Sequence, residues 1–343
     1  MTPARSRRAT AASLLALAAA LPALTACAGS DDVRQRVRGP LPTRIQQPVA
    51  QIFPNPRPRR AQLLEPGAGR ATLDLEYASI FERNSDPGQE ANFDGETARV
   101  TTRISYGVAP GAELLVEPAF QFASGGFLDR IVDDFHEITG FAEGGRDLFP
   151  RDQYSMSVRN QDRTAWQLQE DEVLLGDLPI TLLVQVRDED DDGPAIAARV
   201  TLEIPTGDES RGGGSGGWDT AAGVLFERSL GRWTLTASFD GVHVDQPRSF
   251  VEAGIDIRTM LFAAGGVEYR WTDRFSLLGQ ALFRTPITRS LPFEEIDREI
   301  VDLGFGAAFD VARDVTVTAS FHEDAVAASG PDLTFYLGLA VGF

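Results

Sequence analysis

The last eleven residues of the chain, Leu333-Thr-Phe-Tyr-Leu-Gly-Leu-Ala-Val-Gly-Phe343, have the pattern of a single β-strand. Side chains alternate between the two faces of a strand, so the large apolar residues share one face and the small or polar residues share the other. A core strand of a soluble sheet has this pattern too. However, the stretch has about the ~9–11 residues of a tilted bilayer crossing and ends on an aromatic residue. It therefore favours a strand whose apolar face contacts lipid.

The same stretch resembles the C-terminal signal of bacterial outer-membrane barrels. A glycine is followed by apolar residues at every second position, and the chain ends on phenylalanine. The residues that carry this resemblance are Phe335, Gly338, Val341 and Phe343. The resemblance implies recognition by the barrel-assembly machinery.

Composition and charge exclude several classes of protein. Of the 343 residues, 43% are hydrophobic, and no apolar run after the N-terminus approaches the ~20 residues of a spanning helix. The formal charge of −18 argues against nucleic-acid binding, which requires a basic surface. The single cysteine allows neither an intrachain disulfide nor a cysteine-rich metal site.

The N-terminus has the pattern of an export signal over residues 1–26. Arginines precede an apolar stretch that is too short to span a membrane. The sequence Leu24-Thr25-Ala26-Cys27 is similar to a bacterial lipobox, which would make Cys27 the lipidated first residue of the mature chain. Ordinary cleavage after Ala26-Cys27-Ala28 fits the small-residue rule equally well. Both alternatives remain open.

Residues 27–70 form a proline-rich segment that also carries Arg57, Arg59 and Arg60. Such a density of proline disfavours helix and central strand, so we expect an extended chain. The preferred interpretation is a periplasmic leader outside the barrel. The alternative is a basic segment held inside an acidic lumen.

Residues 71–343 predict an all-β transmembrane antiparallel barrel of about twelve strands. Segments of alternating polarity recur, such as Val200 and Leu202 against Arg199 and Glu203. Short links at 108–111, 229–231, 271–273 and 311–313, with an acidic one at 188–193, alternate with longer links at 83–96, 124–177, 205–217, 245–254, 288–298 and 323–331. Outer-membrane barrels have this asymmetry, with short turns and both termini in the periplasm. The alternation is irregular over 275–286, where Leu278 and Leu282 fall on the polar face.

Several short motifs resemble the bacterial outer-membrane barrel family known as domain of unknown function 3187. They are the run from Gly126 to Gly140, Gly144-Gly-Arg-Asp147, Leu175-Gly-Asp-Leu178 and Leu202-Glu-Ile-Pro-Thr-Gly-Asp208. The resemblance covers roughly residues 40–343. It implies an outer-membrane location and a barrel fold, and it transfers no catalytic residues.

The polar faces of the strands predict a charged lumen. We expect it to be lined by Glu76, Arg99, Arg103, Glu113, Glu117, Arg187, Arg199, Glu203, Asp240, Glu268, Arg284 and Asp302. Opposed charges across a narrow aqueous pore select solutes by charge and size. The leading hypothesis is therefore a narrow channel for small hydrophilic solutes, in contact with outer-membrane lipid and lipopolysaccharide. The alternatives are a structural barrel with an occluded lumen and an outer-membrane hydrolase.

The longest link contains apolar residues at helical spacing, which predicts an amphipathic helix over residues 127–139. Its polar side carries Asp129, Asp133, Asp134, His136 and Glu137. We expect this helix to narrow the barrel mouth. The alternative is a helix that lies on the rim with its apolar side against the barrel wall.

Two patterns in the sequence contain residue types that bind metals or catalyse hydrolysis. Asp188-x-Asp190-x-Asp192-Gly193 begins like a calcium loop, but the closing position is Arg199, so an acidic hairpin turn is favoured over a metal site. Ser320 and His322 share the inward face of one strand, and the other histidines are His136 and His243. A hydrolase site near the rim is therefore the alternative to a channel without catalytic residues or cofactor.

Overall fold

The computed structural model describes residues 37–139, 148–288, 291, 294–325 and 330–343, without the side chains of 135–139, 294 and 295. The expected signal peptide at 1–26 and Cys27 lie outside the described residues. Among the described residues, no helix has the length and apolar character needed to cross a membrane.

The described chain forms one sheet of sixteen strands. They are β1 (Gly69–Asp86), β2 (Gln89–Ala109), β3 (Ala112–Val116), β4 (Ala119–Ser124), β5 (Ser155–Asn160), β6 (Arg163–Gln167), β7 (Val173–Leu175), β8 (Leu178–Arg187), β9 (Ala195–Ile204), β10 (Asp219–Leu230), β11 (Trp233–His243), β12 (Met260–Arg270), β13 (Phe275–Arg284), β14 (Ile300–Ala312), β15 (Val315–Asp324) and β16 (Leu333–Gly342). The α-helices are α1 (Asp129–Thr139), α2 (Arg248–Glu252) and α3 (Glu294–Asp297), and 3-10 turns occupy Pro48–Ile52 and Glu209–Arg211.

The sheet closes into an antiparallel barrel of twelve crossings, which confirms the predicted fold class. β1 pairs with β16 on one side and with β2 on the other. β3 and β4 both pair with β2 and together form one crossing, interrupted at Pro118, which has no N–H for the ladder. β7 and β8 form another interrupted crossing. Closure gives every wall strand two neighbours, as a hydrocarbon environment requires.

The two ends of the barrel differ. At one end the strand pairs β2–β3, β8–β9, β10–β11, β12–β13 and β14–β15 are joined by short links, and β1 begins there beside the end of β16. We call this the short-turn end, and we call the opposite end the long-loop end. The predicted alternation of short and long links is present along the chain.

One link differs from the sequence expectation. Residues 83–96 were expected to form a polar loop, but β1 and β2 pair without interruption from Ser79–Glu96 to Asp86–Gln89. The reason is that this extension is apolar on one side: Ile80, Ala91 and Phe93 are buried. The β5–β6 hairpin then adds to the extension of β2.

Burial is inverted relative to a soluble protein. Large apolar residues such as Leu75, Leu235, Phe239 and Leu337 are exposed on the outer face. Charged residues on the inner face, including Glu76, are buried. A barrel with an apolar exterior and a polar interior is the arrangement that a membrane-spanning barrel requires.

Candidate functional site: the barrel lumen

The lumen is lined by charged side chains from most of the wall strands. Of the residues expected there, nine are buried inside the barrel: Glu76, Arg99, Glu113, Arg199, Glu203, Asp240, Glu268, Arg284 and Asp302. Arg103 and Glu117 are partly buried, with side chains 17% and 13% exposed. Arg187 lies at the short-turn end, where its guanidinium contacts Asp190. The lumen therefore holds charge of both signs.

Residues 37–64, which we call the plug, lie inside this lumen. Arg38 contacts the short-turn end at Asp273 and Asp310. The chain then runs to the 3-10 turn at Pro48–Ile52 and returns, until Leu64 donates its N–H to Glu113 of β3. The plug is thus a two-legged loop that begins and ends at the short-turn end.

This arrangement corrects the preferred interpretation of residues 27–70 for the part that the structure describes. The segment is extended as its prolines predict, but it fills the barrel instead of leading up to it. The physical reason is charge: the lumen wall supplies carboxylates that the arginines of the plug neutralise.

Glu76 of β1 is the central contact between plug and wall. Arg57 donates to both of its carboxylate oxygens, at 3.0 and 2.8 Å. The backbone N–H of Arg44, on the other leg, donates to Oε1 at 3.2 Å. One carboxylate thereby joins both legs of the plug to the same strand.

Two further carboxylates bind the returning leg near the short-turn end. Glu227 of β10 accepts from Arg60 Nε at 3.2 Å and from its terminal nitrogen at 2.8 Å, and from the N–H of Ala61 at 3.1 Å. Glu113 of β3 accepts from the Arg59 guanidinium and from Leu64 N–H. Each carboxylate therefore binds one guanidinium and one backbone amide.

The outgoing leg is held in the same way on the other side of the barrel. Glu268 of β12 accepts the N–H of Arg38 at 3.0 Å and that of Gly39 at 2.8 Å. The guanidinium of Arg38 pairs with Asp310 of β14, with Nε at 2.8 Å. The two legs thus contact acids on β3, β10, β12 and β14.

Other lumen charges pair within the wall, although Arg199 also donates to the Arg57 carbonyl of the plug at 2.6 Å. Arg199 forms two hydrogen bonds of 2.6 Å with Asp240. Arg103 donates to Asp74, which also accepts the Tyr336 hydroxyl at 2.6 Å. These pairs neutralise themselves whether or not the lumen is occupied.

The turn of the plug is covered by an apolar cluster at the long-loop end, which we call the cap. Phe53 contacts Phe250 with ring centroids 6.5 Å apart. The Tyr154 hydroxyl donates to the carbonyl of Leu168 at 2.8 Å, and burial raises the pKa of this phenol well above its usual value. Buried members of the cap are Val49, Ile52, Phe53, Ile80, Phe93, Met156, Trp166, Phe250, Ile255, Ile287 and Leu291.

A small cavity lies between plug and wall, bordered by Pro54, Pro56, Arg57, Glu117 and Glu203. It leaves about 30 Å³ to the centres of water molecules, room for roughly two waters. In the part of the chain that the structure describes, the lumen is thus occupied by the plug.

Two of the buried polar groups that the plug does not satisfy lie in the lumen wall. Among the described residues, Oε2 of Glu203 has no hydrogen-bond partner, and the residue is only 5% exposed. At the long-loop end, Arg284 is fully buried, and none of its three guanidinium nitrogens forms a hydrogen bond with a described residue. An unpaired buried charge is costly, so both positions are candidate contacts for a solute.

Helix α1 lies outside the lumen, which corrects the expected constriction. Its residues Leu128 and Val132 pack against Tyr77 and Leu333. Tyr77 alternates along β1 with the inward Glu76, so the helix contacts the outer face of the wall. Of the expected constriction residues, Asp129 and Asp133 bind Asp152 N–H and Arg151, Asp134 is exposed, and the side chains of His136 and Glu137 lie outside the described residues.

The start of α1 is fixed by Glu96 of β2. Its Oε1 accepts the N–H of Phe127 at 2.8 Å and that of Leu128, and its Oε2 accepts the Tyr77 hydroxyl. Gly126 has a φ of +75° and packs so closely that an added Cβ would lie within 2.3 Å of the Glu96 carboxylate. These contacts position the helix against the wall.

One histidine lies in a hydrogen-bonded chain inside the lumen. His322 Nε2 is 3.0 Å from Ser320 Oγ, and Nδ1 is 2.8 Å from Oδ1 of Asp302 on the adjacent strand. The ring packs over Gly304, where an added Cβ would lie 2.3 Å from Cε1. The connectivity is that of a serine–histidine–carboxylate triad. The sequence indicated Ser320 and His322 on one face and did not indicate that Asp302 would join them.

The acidic turn behaves as the sequence predicts. Asp190 accepts the N–H groups of Asp192 and Gly193 at 3.0 and 2.9 Å and contacts Arg187. Its carboxylate therefore stabilises the turn between β8 and β9.

The set of lumen residues predicted from the sequence did not include Glu227 and Asp310. Each alternates with apolar inward residues, Leu225 and Ala308, that pack against Ala61 and Leu41 of the plug. The strict apolar–polar alternation therefore fails where the plug itself is apolar. The irregularity at Leu278 and Leu282 had the same cause, since these leucines contact Leu41 and Ile45.

Comparison with protein families supports the resemblance found in the sequence. A family model described as "Protein of unknown function (DUF3187)" matches residues 17–343, nearly the whole chain. No curated protein matches the sequence.

Solved structures of outer-membrane proteins are similar to the chain at low sequence identity. The COG4313 outer membrane channel from Pseudomonas putida F1 is similar over 83% of this chain and 99% of its own, with 15% identity and a TM-score of 0.57. The NanC porin covers 78% of this chain and 98% of its own, with 8% identity and a TM-score of 0.45. The KdgM porin in complex with disordered oligogalacturonate covers 80% and 99%, with 7% identity and a TM-score of 0.41. The chain has the fold of outer-membrane barrels.

Proposed function

Since the chain belongs to the DUF3187 family of outer-membrane barrels, we propose that it is a channel for small hydrophilic solutes that its own plug holds closed. The observation that carries this proposal is the chemistry of the contact between plug and wall. Wall carboxylates bind the plug at Glu76 and, at the short-turn end, at Glu113, Glu227 and Glu268, and they accept from both guanidinium groups and backbone amides of the plug.

Such a contact favours reversible release. Buried ion pairs contribute little net stability, because desolvation offsets most of their attraction. On release, both partners recover water and counterions. Proline keeps the freed segment extended and limits the conformational entropy that it gains, so the plug can also return.

The size of the barrel agrees with this function. Side chains alone fill the interior of an eight-stranded barrel, whereas twelve crossings leave space for more. Here that space holds a segment that continues directly into β1 and is not part of the sheet. When the plug moves out of the lumen, a polar passage through the barrel remains. A permanently occluded structural barrel is the rival that the experiment must exclude.

Solute release from liposomes tests the proposal. Liposomes loaded with small sugars of increasing size are prepared with the wild type, with a variant lacking residues 37–64, and with Arg59→Gln/Arg60→Gln. We expect slow release with the wild type and fast, size-limited release with both variants. If both variants fold and release no sugar, the barrel is structural and the channel proposal fails.

A second candidate function rests on Ser320, His322 and Asp302. In an esterase reaction, Ser320 Oγ would attack the ester carbonyl and pass its proton to His322 Nε2, with Asp302 holding Nδ1. The imidazolium would protonate the departing alcohol, and water would hydrolyse the acyl-enzyme. A fluorophosphonate probe, which loses fluoride to a reactive serine, should then label the plug-deleted barrel but not its Ser320→Ala variant. Equal labelling of the two proteins would show that Ser320 is not a reactive nucleophile and that Ser320, His322 and Asp302 form a buried polar network.

The location of the protein is part of the same proposal. Short turns lie on the periplasmic side of bacterial barrels, so we place the short-turn end and both termini in the periplasm, with the exposed apolar face against outer-membrane lipid and lipopolysaccharide. The plug then enters and leaves the lumen from the periplasm. Protease added to intact cells should leave an epitope tag in the short turn at residues 229–231 uncut, and cutting without cell lysis would reverse the orientation.

Processing of the N-terminus stays a prediction with two alternatives. A fatty-acid analogue should label the wild type and not Cys27→Ala if the lipobox is used. An unlabelled wild type would indicate ordinary signal-peptide cleavage at Ala28, without a lipid on Cys27.

A further inference from the structure

We propose that the open lumen takes organic cations that carry guanidinium or amine groups, and that the plug closes it by occupying the carboxylates that such cations bind. This inference rests on the proposed channel function and names the class of its solute. The starting point is the position of four plug-binding acids, Glu113, Glu227, Glu268 and Asp310, which we call the acidic ring.

The acidic ring lies at the short-turn end of the lumen. Glu113 is the second residue of β3, and Glu227, Glu268 and Asp310 lie within four residues of the ends of β10, β12 and β14. All four strands start or end at the same mouth. The ring therefore encircles much of the lumen at one level, where a solute enters or leaves. Rings of carboxylates are the usual basis of cation selectivity in pores.

The plug shows how a cation binds in this ring. Arg60 contacts Glu227 through two guanidinium nitrogens, Arg59 contacts Glu113, and Arg38 contacts Asp310. Planar guanidinium groups bind carboxylates in this bidentate way with defined geometry. The plug is thus a built-in set of guanidinium ligands, and a free guanidinium or amine would compete for the same oxygens.

Release of the plug uncovers mainly negative charge. The wall pairs Arg199–Asp240 and Arg103–Asp74 remain neutral in themselves. The four acids of the ring lose guanidinium or amide partners, and Arg284, whose guanidinium forms no hydrogen bond with the residues that the structure describes, lies at the opposite end of the lumen. A water-filled passage between low-dielectric walls strengthens the attraction of such a ring for cations.

A further carboxylate inside the lumen points to the same class of ligand. Oε2 of Glu203 is buried without a hydrogen-bond partner and lies beside the cavity between Arg57 and Glu117. The plug leaves this oxygen unsatisfied even in the closed state. A small cation that passes the acidic ring would meet it next.

Ion selectivity in planar bilayers tests the inference. The probes are argininamide, which carries a guanidinium group, and citrullinamide, which carries a neutral ureido group in its place. In the variant lacking residues 37–64, we expect cation preference in a potassium chloride gradient and partial block of the current by argininamide at concentrations where citrullinamide blocks less. In the wild type, argininamide should increase the frequency of opening.

Matched substitutions assign the effect to the ring. Glu113→Gln/Glu227→Gln in the plug-deleted barrel should lower the cation-to-anion permeability ratio about fivefold, which corresponds to about 1 kcal/mol. Glu252→Gln, which removes an exposed carboxylate of α2 outside the lumen, is the control and should not lower it. If the deletion variant does not fold, Arg59→Gln/Arg60→Gln in the full chain serves as the open form. A conducting barrel that prefers anions or does not discriminate, and in which argininamide has no effect, overturns the inference and leaves the channel function standing.

Discussion

Arg60 forms a bidentate ion pair with Glu227, although the two residues lie 167 positions apart in the chain. The Glu227 side chain is completely buried, and that of Arg60 is 15% exposed. The pair joins a proline-rich segment before the first strand to a strand in the middle of the barrel. It illustrates one way in which the plug is held: by side-chain charges of the wall, in addition to the apolar contacts, and not by pairing with the sheet.

The first prediction concerns this pair. Among the contacts of the described residues, Arg60→Gln leaves the buried Glu227 with the Ala61 amide and no cation, and an uncompensated buried charge costs about 3–5 kcal/mol. We expect the plug to leave the lumen more often, so that trypsin cleaves after Arg59 at least tenfold faster than in the wild type. Arg60→Lys should restore part of the protection.

A matched control for the first prediction removes an exposed pair. Arg248 and Glu252 have side chains 85% and 53% exposed, and solvent screens such a pair. Arg248→Gln should not alter cleavage of the plug. Equal protection of the plug in Arg60→Gln and Arg248→Gln would contradict the assigned role of Glu227.

The second prediction concerns helix α1. Because Leu128 and Val132 pack on the outer face of the wall, deletion of residues 126–140 should leave the conductance and selectivity of the plug-deleted barrel unchanged. The barrel should lose stability, since Tyr77 and Glu96 lose their contacts. A rise in single-channel conductance on deletion would place the helix in the current path after all.

The third prediction concerns barrel closure at the C-terminus. Gly69 and Phe343 exchange two backbone hydrogen bonds of 2.7 and 2.9 Å, and an added Cβ at Gly69 would lie 2.2 Å from the Phe343 ring. Deletion of Phe343 and Gly69→Val should both lower the outer-membrane level of the protein. Phe239→Ala, which removes an aromatic ring 59% exposed on the wall, is the control and should have little effect. Normal levels of the Phe343 deletion would refute the role of the terminal residue.

The fourth prediction concerns the lumen histidine. Gly304→Ala places a methyl group 2.3 Å from the His322 ring, so the ring must move and its contacts with Ser320 and Asp302 must lengthen. We expect a loss of stability of about 1–3 kcal/mol from overpacking, and the disappearance of any fluorophosphonate labelling. The control is Gly265→Ala, where an added Cβ meets nothing within 4 Å. If both variants are equally stable and equally labelled, the His322 ring is not fixed by Gly304.

The sequence was sufficient to predict the strands, their even number and the alternation of short and long links along most of the chain. When one face of every strand is apolar and faces lipid, a chain of this length must close into a barrel, because an open edge would leave backbone groups without partners. The inward side chains of Glu76 and Glu268 followed from the period-two alternation of polarity. The extended hairpin of β1 and β2 did not follow, because Ile80 and Phe93 become apolar partners only when the loops fold into the cap.

The position of the plug was the main feature that local sequence could not decide. Proline and arginine at 40–60 are equally compatible with a solvated leader and with an ion-paired segment. The discriminating signal lay in the wall, at Leu278 and Leu282. These leucines occupy lumen positions because they contact Leu41 and Ile45. An apolar residue on a lumen face thus indicates that something apolar lies opposite.

The most direct measurement of the central claim is single-channel current with the plug removed and then supplied as a peptide. The wild type should be mostly closed, and the barrel lacking residues 37–64 should be open. A synthetic peptide of residues 37–64, added on the side of the short-turn end, should close it again, and the same peptide with glutamine at 57, 59 and 60 should not. A folded deletion variant that passes no current, or one that both peptides block equally, would contradict a channel held closed by ion pairs between plug and wall.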